Sequence, residues 1–249
     1  MLSTLATDLP TLFVSDLHLS ARRPETADLF LRFLAGPARQ AQALYILGDL
    51  FDYWAGDDAI DDPDDPFNRR IVDALAALDT PKFFLRGNRD FLASGQFGVA
   101  SRLTFIPEPT VADIGGVPTL LLHGDTLCTE DLDYQAVRTL LRSAEWQRSL
   151  LALPLAERKR KIEGLREQSE TAKGGKRYDI MDANADAVAT ALRAHGVVRM
   201  IHGHTHRQAR HEHLVDGRAC ERWVLGDWHA TGNALACDAA GCRWLTVTP

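Results

Sequence analysis

The sequence predicts an α/β fold, and three features of its patterning predict it. Short apolar runs at residues 11–15, 43–47 and 82–85 have the length of buried strands. The stretches between them repeat their apolar residues every three or four positions, the period of an amphipathic helix. Strand and helix in alternation argue for parallel pairing. Each run also stops at a polar or glycine residue, Asp16, Gly48 and Arg86-Gly87, where the carboxyl end of a strand would lie.

Taken in order, the elements justify themselves by spacing. Leu29, Phe30, Phe33 and Leu34 fall on one face of a helix over residues 25–34, and Ile71, Val72, Leu75 and Leu78 on one face over 67–78. At residue 110 the pattern changes. Runs at 110–114 and 118–122 flank Gly115-Gly116, a hairpin signal. A helical tract over 131–166 carries Val137, Leu140, Leu141, Trp146, Leu150, Leu151, Ile162 and Leu165, and a charged, glycine-bearing stretch at 168–177 breaks it. A helix at 181–195 and a strand at 197–201 follow. Alternating runs near 211–215, 220–225, 235–237 and 244–247 predict antiparallel strands that close the domain. The acidic run at 57–65 lacks the spacing of a calcium loop and reads as solvated loop. Residues 1–249 thus read as one domain with a helical cap, about 131–177, inserted in it.

Composition narrows the class. The 249 residues, 45% of them hydrophobic, suffice for one large core or a core with an inserted subdomain. A formal net charge of −6 argues against a surface built for nucleic acid. Residues 1–10 lack the basic start and long apolar stretch of a signal peptide. No apolar run approaches the roughly 18–20 residues that span a bilayer. Cys128, Cys220, Cys237 and Cys242 do not have zinc-site spacing, so four reduced thiols in a cytosolic protein are expected.

The chemistry gathers in five places: Asp16-Leu17-His18, Gly48-Asp49, Gly87-Asn88-Arg89-Asp90, His123-Gly124-Asp125 and Gly203-His204-Thr205-His206. Each closely follows an apolar run. In open α/β sheets ligands bind at the carboxyl ends of strands, so donors far apart in sequence can meet along one rim. The glycines permit sharp turns and close backbone approach. The donors are two carboxylates (Asp16, Asp49), one amide oxygen (Asn88) and four imidazoles (His18, His123, His204, His206). This set suits manganese, iron or zinc as divalent ions, and it contains no thiolate. Seven donors exceed what one ion needs. Two ions ~3.5–4 Å apart sharing a carboxylate would use them, and would lower the pKa of a water from 15.7 to about 7. Asp49 is the candidate bridge. Asp16, His18 and His206 would complete one ion, and Asn88, His123 and His204 the other. Taken singly, His18 or Gly48-Asp49 is an ordinary turn feature; the five together, in this order, are not. His195, His202, His211, His213 and His229 take no part in this assignment and default to structural or surface roles.

The five blocks resemble those of the calcineurin-like metallophosphoesterases. The resemblance runs from Phe13 to about Trp228 and implies a four-layer α/β/β/α sandwich with a dinuclear site. Many members carry histidine after the asparagine, where it protonates the leaving group. Here the residue is Arg89. Arginine stays charged and cannot be that acid, but its fork of donors can clamp phosphate. A leaving phosphate needs a proton less than an alkoxide does, so Arg89 points to a phosphoanhydride substrate. The longer signatures, residues 15–20, 87–92, 123–129, 181–184 and 224–228, resemble one branch of the family. That branch implies hydrolysis of UDP-2,3-diacylglucosamine at the α-phosphorus, giving UMP and 2,3-diacylglucosamine 1-phosphate in lipid A biosynthesis. Two divalent ions, taken as Mn²⁺, and peripheral attachment to the cytoplasmic face of a Gram-negative inner membrane are implied with it. Asp49 and Arg89 carry the catalytic roles. The branch's substrate contacts fall on Asn88, Arg89, Asp131, Arg166, Ser169, Lys173, Lys176 and His204.

The inserted tract fits such a substrate. An acyl chain must leave water, and each buried CH₂ contributes ~0.8 kcal/mol. The basic run Arg158-Lys159-Arg160-Lys161 beside Leu150, Leu151, Leu153 and Leu155 offers a contact to anionic lipid; a solvated helix face laced with Glu157 and Glu163 is the other reading. Two further functions stay open: hydrolysis of another nucleotide diphosphate or phosphoester by the same ions, and a metal-binding scaffold without activity.

Overall fold

The computed structural model describes residues 9–173 and 181–249. In chain order its elements are β1 (Thr11–Val14), α1 (Pro24–Ala35), β2 (Ala43–Leu47), α2 (Phe67–Ala76), β3 (Lys82–Leu85), α3 (Gly95–Ser101), β4 (Thr104–Phe105), β5 (Thr110–Ile114), β6 (Val117–Leu121), α4 (Leu132–Leu141), α5 (Ala144–Leu151), α6 (Leu155–Lys173), α7 (Ala185–His195), β7 (Arg199–His202), β8 (Ala209–Val215), β9 (Arg218–Val224), β10 (Gly232–Asp238) and β11 (Gly241–Val247). Among the described residues the strands form two sheets, ordered β11-β10-β1-β2-β3-β4 and β5-β6-β7-β9-β8.

Strands β1 to β4 run parallel, as the alternation predicts. The period of two along each strand then builds the layers. In β1, Leu12 and Val14 join a core shared with α1, α2 and α3, whereas Phe13 points into the core between the sheets. Leu47 and Leu85 from the first sheet meet Leu121 and Ile201 from the second in that middle layer. On the far side of the second sheet, Leu120 and Met200 pack against Val188 and Leu192 of α7. The result is helix, sheet, sheet, helix, the predicted order of layers. The late alternating strands are shared between the sheets: β8 and β9 pair in the second, β10 and β11 in the first. Strand β9 also lies parallel to β7.

Several local expectations are corrected. Helix α6 continues to Lys173, past the break expected at 168, because the polar residues there are themselves good helix formers. Helix α7 starts at Ala185 rather than 181, where the Asn184 side chain accepts from the Asp186 and Ala187 amides at 2.9 and 3.1 Å. Helix α3 and the two-residue β4 carried no clear period in the sequence; they are short, and α3 holds Gly95 and Gly98. The acidic run is not simply solvated. Asp57–Asp61 form a 3₁₀ turn with Ala59 and Ile60 buried. Asp57 accepts from the Trp54 indole, Ser94 and the Phe97 amide. Finally, Cys237 and Cys242 form a disulfide, so four free thiols were not the right expectation. The β10–β11 register sets the two residues opposite each other, 4.1 Å apart at Cα. Cys128 and Cys220 are buried and free.

Among the described residues, the tract between β6 and α7 contains the helices α4, α5 and α6, divided at Arg142-Ser143 and at Ala152–Pro154. Leu150 and Ile162 are buried in the core of the first sheet's helical side, and Trp146 lies 5.8 Å from the Phe91 ring. Arg158 of α6 is buried, bonds the carbonyls of Leu151 and Leu153 at 2.9 and 3.2 Å and pairs with Asp58. Lys159 pairs with Asp62. Two cations of the basic run are therefore turned onto the acidic loop, and Arg160 and Lys161 remain exposed.

Candidate metal centre

Strands β1, β2, β3 and β7 end on one rim and carry the donors there, with His123 just beyond β6. His206 and Asp16 meet across the rim, Nε2 to Oδ1, at 3.4 Å. His18 and His206 face each other Nε2 to Nε2 at 3.2 Å. The Asn88 side-chain oxygen lies 3.0 Å from both His123 Nε2 and His204 Nδ1. Asp49 stands between the two groups, 3.6 Å from His123 and 4.0 Å from His18. The seven donors expected from the sequence are thus together. Asp16, His18 and His206 can bring ligand atoms within 4.8 Å of one another, and so can Asp16, Asp49 and His123.

The backbone is bent to achieve this. Asp16, His18, Asp49, His204 and His206 have φ of 54°, 47°, 54°, 67° and 59°. Non-glycine residues rarely adopt such values, and the strain concentrates where function requires it. Gly203 answers a different demand. A Cβ there would overlap Ser15 Oγ and Asp16 Oδ2, so only glycine lets the β7 loop close on the β1 loop.

Charge and burial oppose each other in the site. Burial resists ionisation of Asp16, but His206, His123 and His18 outweigh it and hold its carboxyl well below the usual range. Burial and the neighbouring Asp16 raise Asp49, although His123 works against them. Burial likewise resists protonation of His123, yet Asp49 and Asp16 lift it to about 9. His206 rises to about 10 in the same way, against burial, through Asp16 and Asp227. Burial pushes His204 down to about 3, with His123 adding to it. Protonated imidazoles therefore balance the carboxylates, a charge that divalent ions would take over on displacing the protons. Two further observations fit metal. Asp16 Oδ1 and His18 Nδ1 are buried with no hydrogen-bond partner, whereas buried polar atoms in folded proteins almost always have one. The donors are oxygen and imidazole, the set that divalent first-row ions accept.

Outer residues hold the donors in place. His123 Nδ1 lies 2.9 Å from the Leu47 carbonyl, which leaves Nε2 to face the rim. Ser15 donates to Asp16 at 2.6 Å. Asp227 lies 3.2 Å from His206 Nδ1, a carboxylate that fixes that ring. Asp90 is buried and accepts from the Gly87 and Leu50 amides at 2.7 and 2.8 Å. Burial and Asp49 raise its pKa to about 7. Glu108 accepts from the His123 amide at 2.7 Å. Asp227, in Gly226-Asp227-Trp228, and Asp90 lay within the signatures without a role of their own, and Glu108 carried no signal.

The expected substrate residues are placed unevenly. Arg89 is 8% exposed, and its amide donates to Asp49 at 2.8 Å. Asp131 caps α4, accepting from the Tyr134 amide at 3.1 Å. Arg166 pairs with Asp52 at 2.9 Å. The α6 backbone carries Ser169 and Lys173, but their side chains, and all of Lys176, lie outside the described residues. Helix α4 reaches the centre through Asp125, which accepts from Arg138 at 2.8 Å and from the Tyr134 hydroxyl at 3.1 Å. Arg142 donates to the Gly87 carbonyl at 3.1 Å. The Tyr134 ring stands 5.3 Å from His204, a contact the sequence did not suggest.

Two stacked sheets with carboxylate, amide and imidazole donors crowded on the strand ends define a metal-dependent hydrolase of phosphate bonds. The chain belongs to the calcineurin-like phosphoesterase family, whose profile matches residues 9–208. Relatives span nearly its whole length. A protein of Aromatoleum aromaticum is 56% identical over 236 residues, 94% of this chain and 95% of its own. One of Edwardsiella ictaluri is 46% identical, covering 96% of this chain and 92% of its own. One of Cellvibrio japonicus is 46% identical, covering 93% and 96%. All three bear the name UDP-2,3-diacylglucosamine hydrolase.

Proposed function

We propose that this chain hydrolyses the pyrophosphate bond of UDP-2,3-diacylglucosamine, with water attacking the α-phosphorus. The Pα–O bond breaks, UMP keeps the incoming oxygen, and 2,3-diacylglucosamine 1-phosphate leaves. The chemistry rests on one observation: seven oxygen and imidazole donors on one largely buried rim, two of their atoms without a hydrogen-bond partner. The substrate rests on the name shared by relatives 46–56% identical over 93–96% of the chain.

Two divalent ions, manganese in this reading, would neutralise phosphoryl charge and make water acidic enough to attack near neutral pH. Asp16, His18 and His206 would hold one, Asn88, His123 and His204 the other, with Asp49 between them. Asp16 also closes one of the ligand triads that includes Asp49 and His123, so it is a second candidate for sharing. Arg89 keeps a permanent cation beside Asp49 and binds the diphosphate without moving a proton. Its choice over histidine suits a leaving phosphate that departs unprotonated. Asp227 keeps His206 Nε2 turned to the rim. Asp131, Arg166, Ser169, Lys173 and Lys176 are proposed to meet the sugar phosphate.

Helices α4 to α6 form the proposed cap over the acyl chains. Leu132, Val137 and Leu140 on α4 and Leu151 on α5 are exposed, an apolar surface that the sandwich core leaves unused. Among the described residues no helix is long and apolar enough to cross a membrane. Peripheral attachment at the cytoplasmic side of an inner membrane is part of the proposal. The deciding experiment is turnover of UDP-2,3-diacylglucosamine by the manganese-loaded protein in ¹⁸O-water. The label is expected in UMP. Label in the sugar phosphate, or equal turnover of the unacylated UDP-sugar, would sink the assignment.

A further inference from the structure

His202, the last residue of β7, is fully buried and belongs to no ligand set. Its two ring nitrogens are both engaged. Nε2 lies 3.2 Å from Arg222 Nη1, and Nδ1 lies 2.9 Å from the carbonyl of Gly203. A guanidinium has donors and no acceptor. The His202 Nε2 must therefore accept, its proton must sit on Nδ1, and that N–H must donate to Gly203. Arg222 itself is 6% exposed on β9, one strand away, and its Nε donates to His213 at 3.3 Å.

The carbonyl that receives this bond belongs to an unusual turn. The Thr205 amide also donates to it, at 2.8 Å, across a single residue, and that residue is His204 with φ of 67°. A three-residue turn with positive φ at its centre is the strained form of the γ-turn, and it persists only where its surroundings hold it. The His202 ring touches the other histidine loop as well. A Cβ on Gly124 would lie 2.6 Å from His202 Nδ1, and the Gly203 amide donates to the His123 carbonyl at 2.8 Å. One imidazole thus braces the loop that follows His123 and the turn that aims His204.

We propose that Arg222 is a positioning residue for the metal centre. It fixes the His202 proton on Nδ1, and that proton holds the Gly203 carbonyl so that His204 points at Asn88. The idea depends on the proposed function for its metal and not for its substrate. It predicts a long-range effect from a side chain that touches no donor of the site.

The test uses the full chain. In the metal-free wild type, ¹H–¹⁵N correlation of the imidazoles is expected to show His202 protonated on Nδ1. Removing a partner bonded directly to a metal ligand typically weakens metal binding about 10–100-fold, and Arg222 acts through His202 and Gly203 toward the lower end of that range. Arg222→Met is expected to lose Mn²⁺ affinity in that range by calorimetric titration, with KM near the wild-type value. Arg222→Lys, which returns a donor of similar reach, is expected to recover most of the loss. The proposal fails if wild-type His202 carries its proton on Nε2, a measurement that needs no variant to fold. It fails also if Arg222→Met binds Mn²⁺ as the wild type does, or if Arg222→Lys is as poor as Arg222→Met. A chain that shows both expected effects yet leaves the acylated UDP-sugar intact would sink the substrate assignment and leave this one standing.

Discussion

At the scale of single residues, Arg89 and Asp49 separate two jobs that the sequence could name but not test. Asp49 is buried among imidazoles and accepts the Arg89 amide, so its carboxylate is fixed by the same loop that carries the cation. In the proposed function Asp49→Ala removes the shared donor and several kcal/mol of charge stabilisation; a loss of about 4 kcal/mol is roughly a thousandfold in rate. Turnover is expected to fall at least that far, with manganese content reduced. In the same proposal Arg89→Ala removes a charge clamp and no donor of the metals. Its turnover is expected to fall about 10²–10³-fold, the usual effect of deleting one donor to a charged transition state. Its manganese content by elemental analysis should equal that of the wild type. Near-normal rates in either variant, or lost metal in Arg89→Ala, would reverse these roles. Residue types and their order made both positions legible. The positive φ at Asp16, His18, Asp49, His204 and His206 was not legible, because nothing in a sequence marks strain that only the surrounding contacts sustain.

At the scale of elements, the helices between β6 and α7 show where reading by period works and where it stops. Period located a helical tract over 131–166 without marking its division into α4, α5 and α6, and polarity misled in two charged segments. The charged stretch after 166 read as a break and is helix to Lys173. The acidic run at 57–65 read as solvated, yet it receives the basic run of α6. The acidic run is a charged segment whose partners lie about a hundred residues away, as Arg158 and Asp58 do, so it could not be interpreted from its own neighbourhood. Arg158 is 2% exposed and satisfies two carbonyls as well as Asp58. Leaving such groups unpaired costs about 1–3 kcal/mol. Arg158→Met is therefore expected to lower the melting temperature and to raise KM for the acylated substrate while leaving kcat near normal, since the catalytic rim is untouched. An unchanged KM would mean that α6 does not need this anchor to hold substrate.

At the scale of the whole molecule, the turned-in cations also limit how strongly the protein can meet a lipid surface. Each cation near an anionic leaflet contributes about 1 kcal/mol. With Arg160 and Lys161 exposed from the basic run, and Leu132, Val137 and Leu140 on α4, weak binding that salt reverses is expected. Flotation with anionic vesicles at low and high salt measures it, and no flotation at low salt removes the membrane from the proposal. The sequence by itself determined the alternation of strand and helix, the two-sheet order of layers through its resemblance, and the seven candidate donors that the fold brings together. These are written in local period and in side-chain chemistry, which a chain carries wherever it folds. Tertiary structure decided the rest. It set Cys237 against Cys242 across a hairpin, divided the last four strands between the sheets, docked α6 on the acidic loop and placed Arg222 behind His202. Each of these joins groups by register or by burial, and neither quantity exists until the sheets have formed.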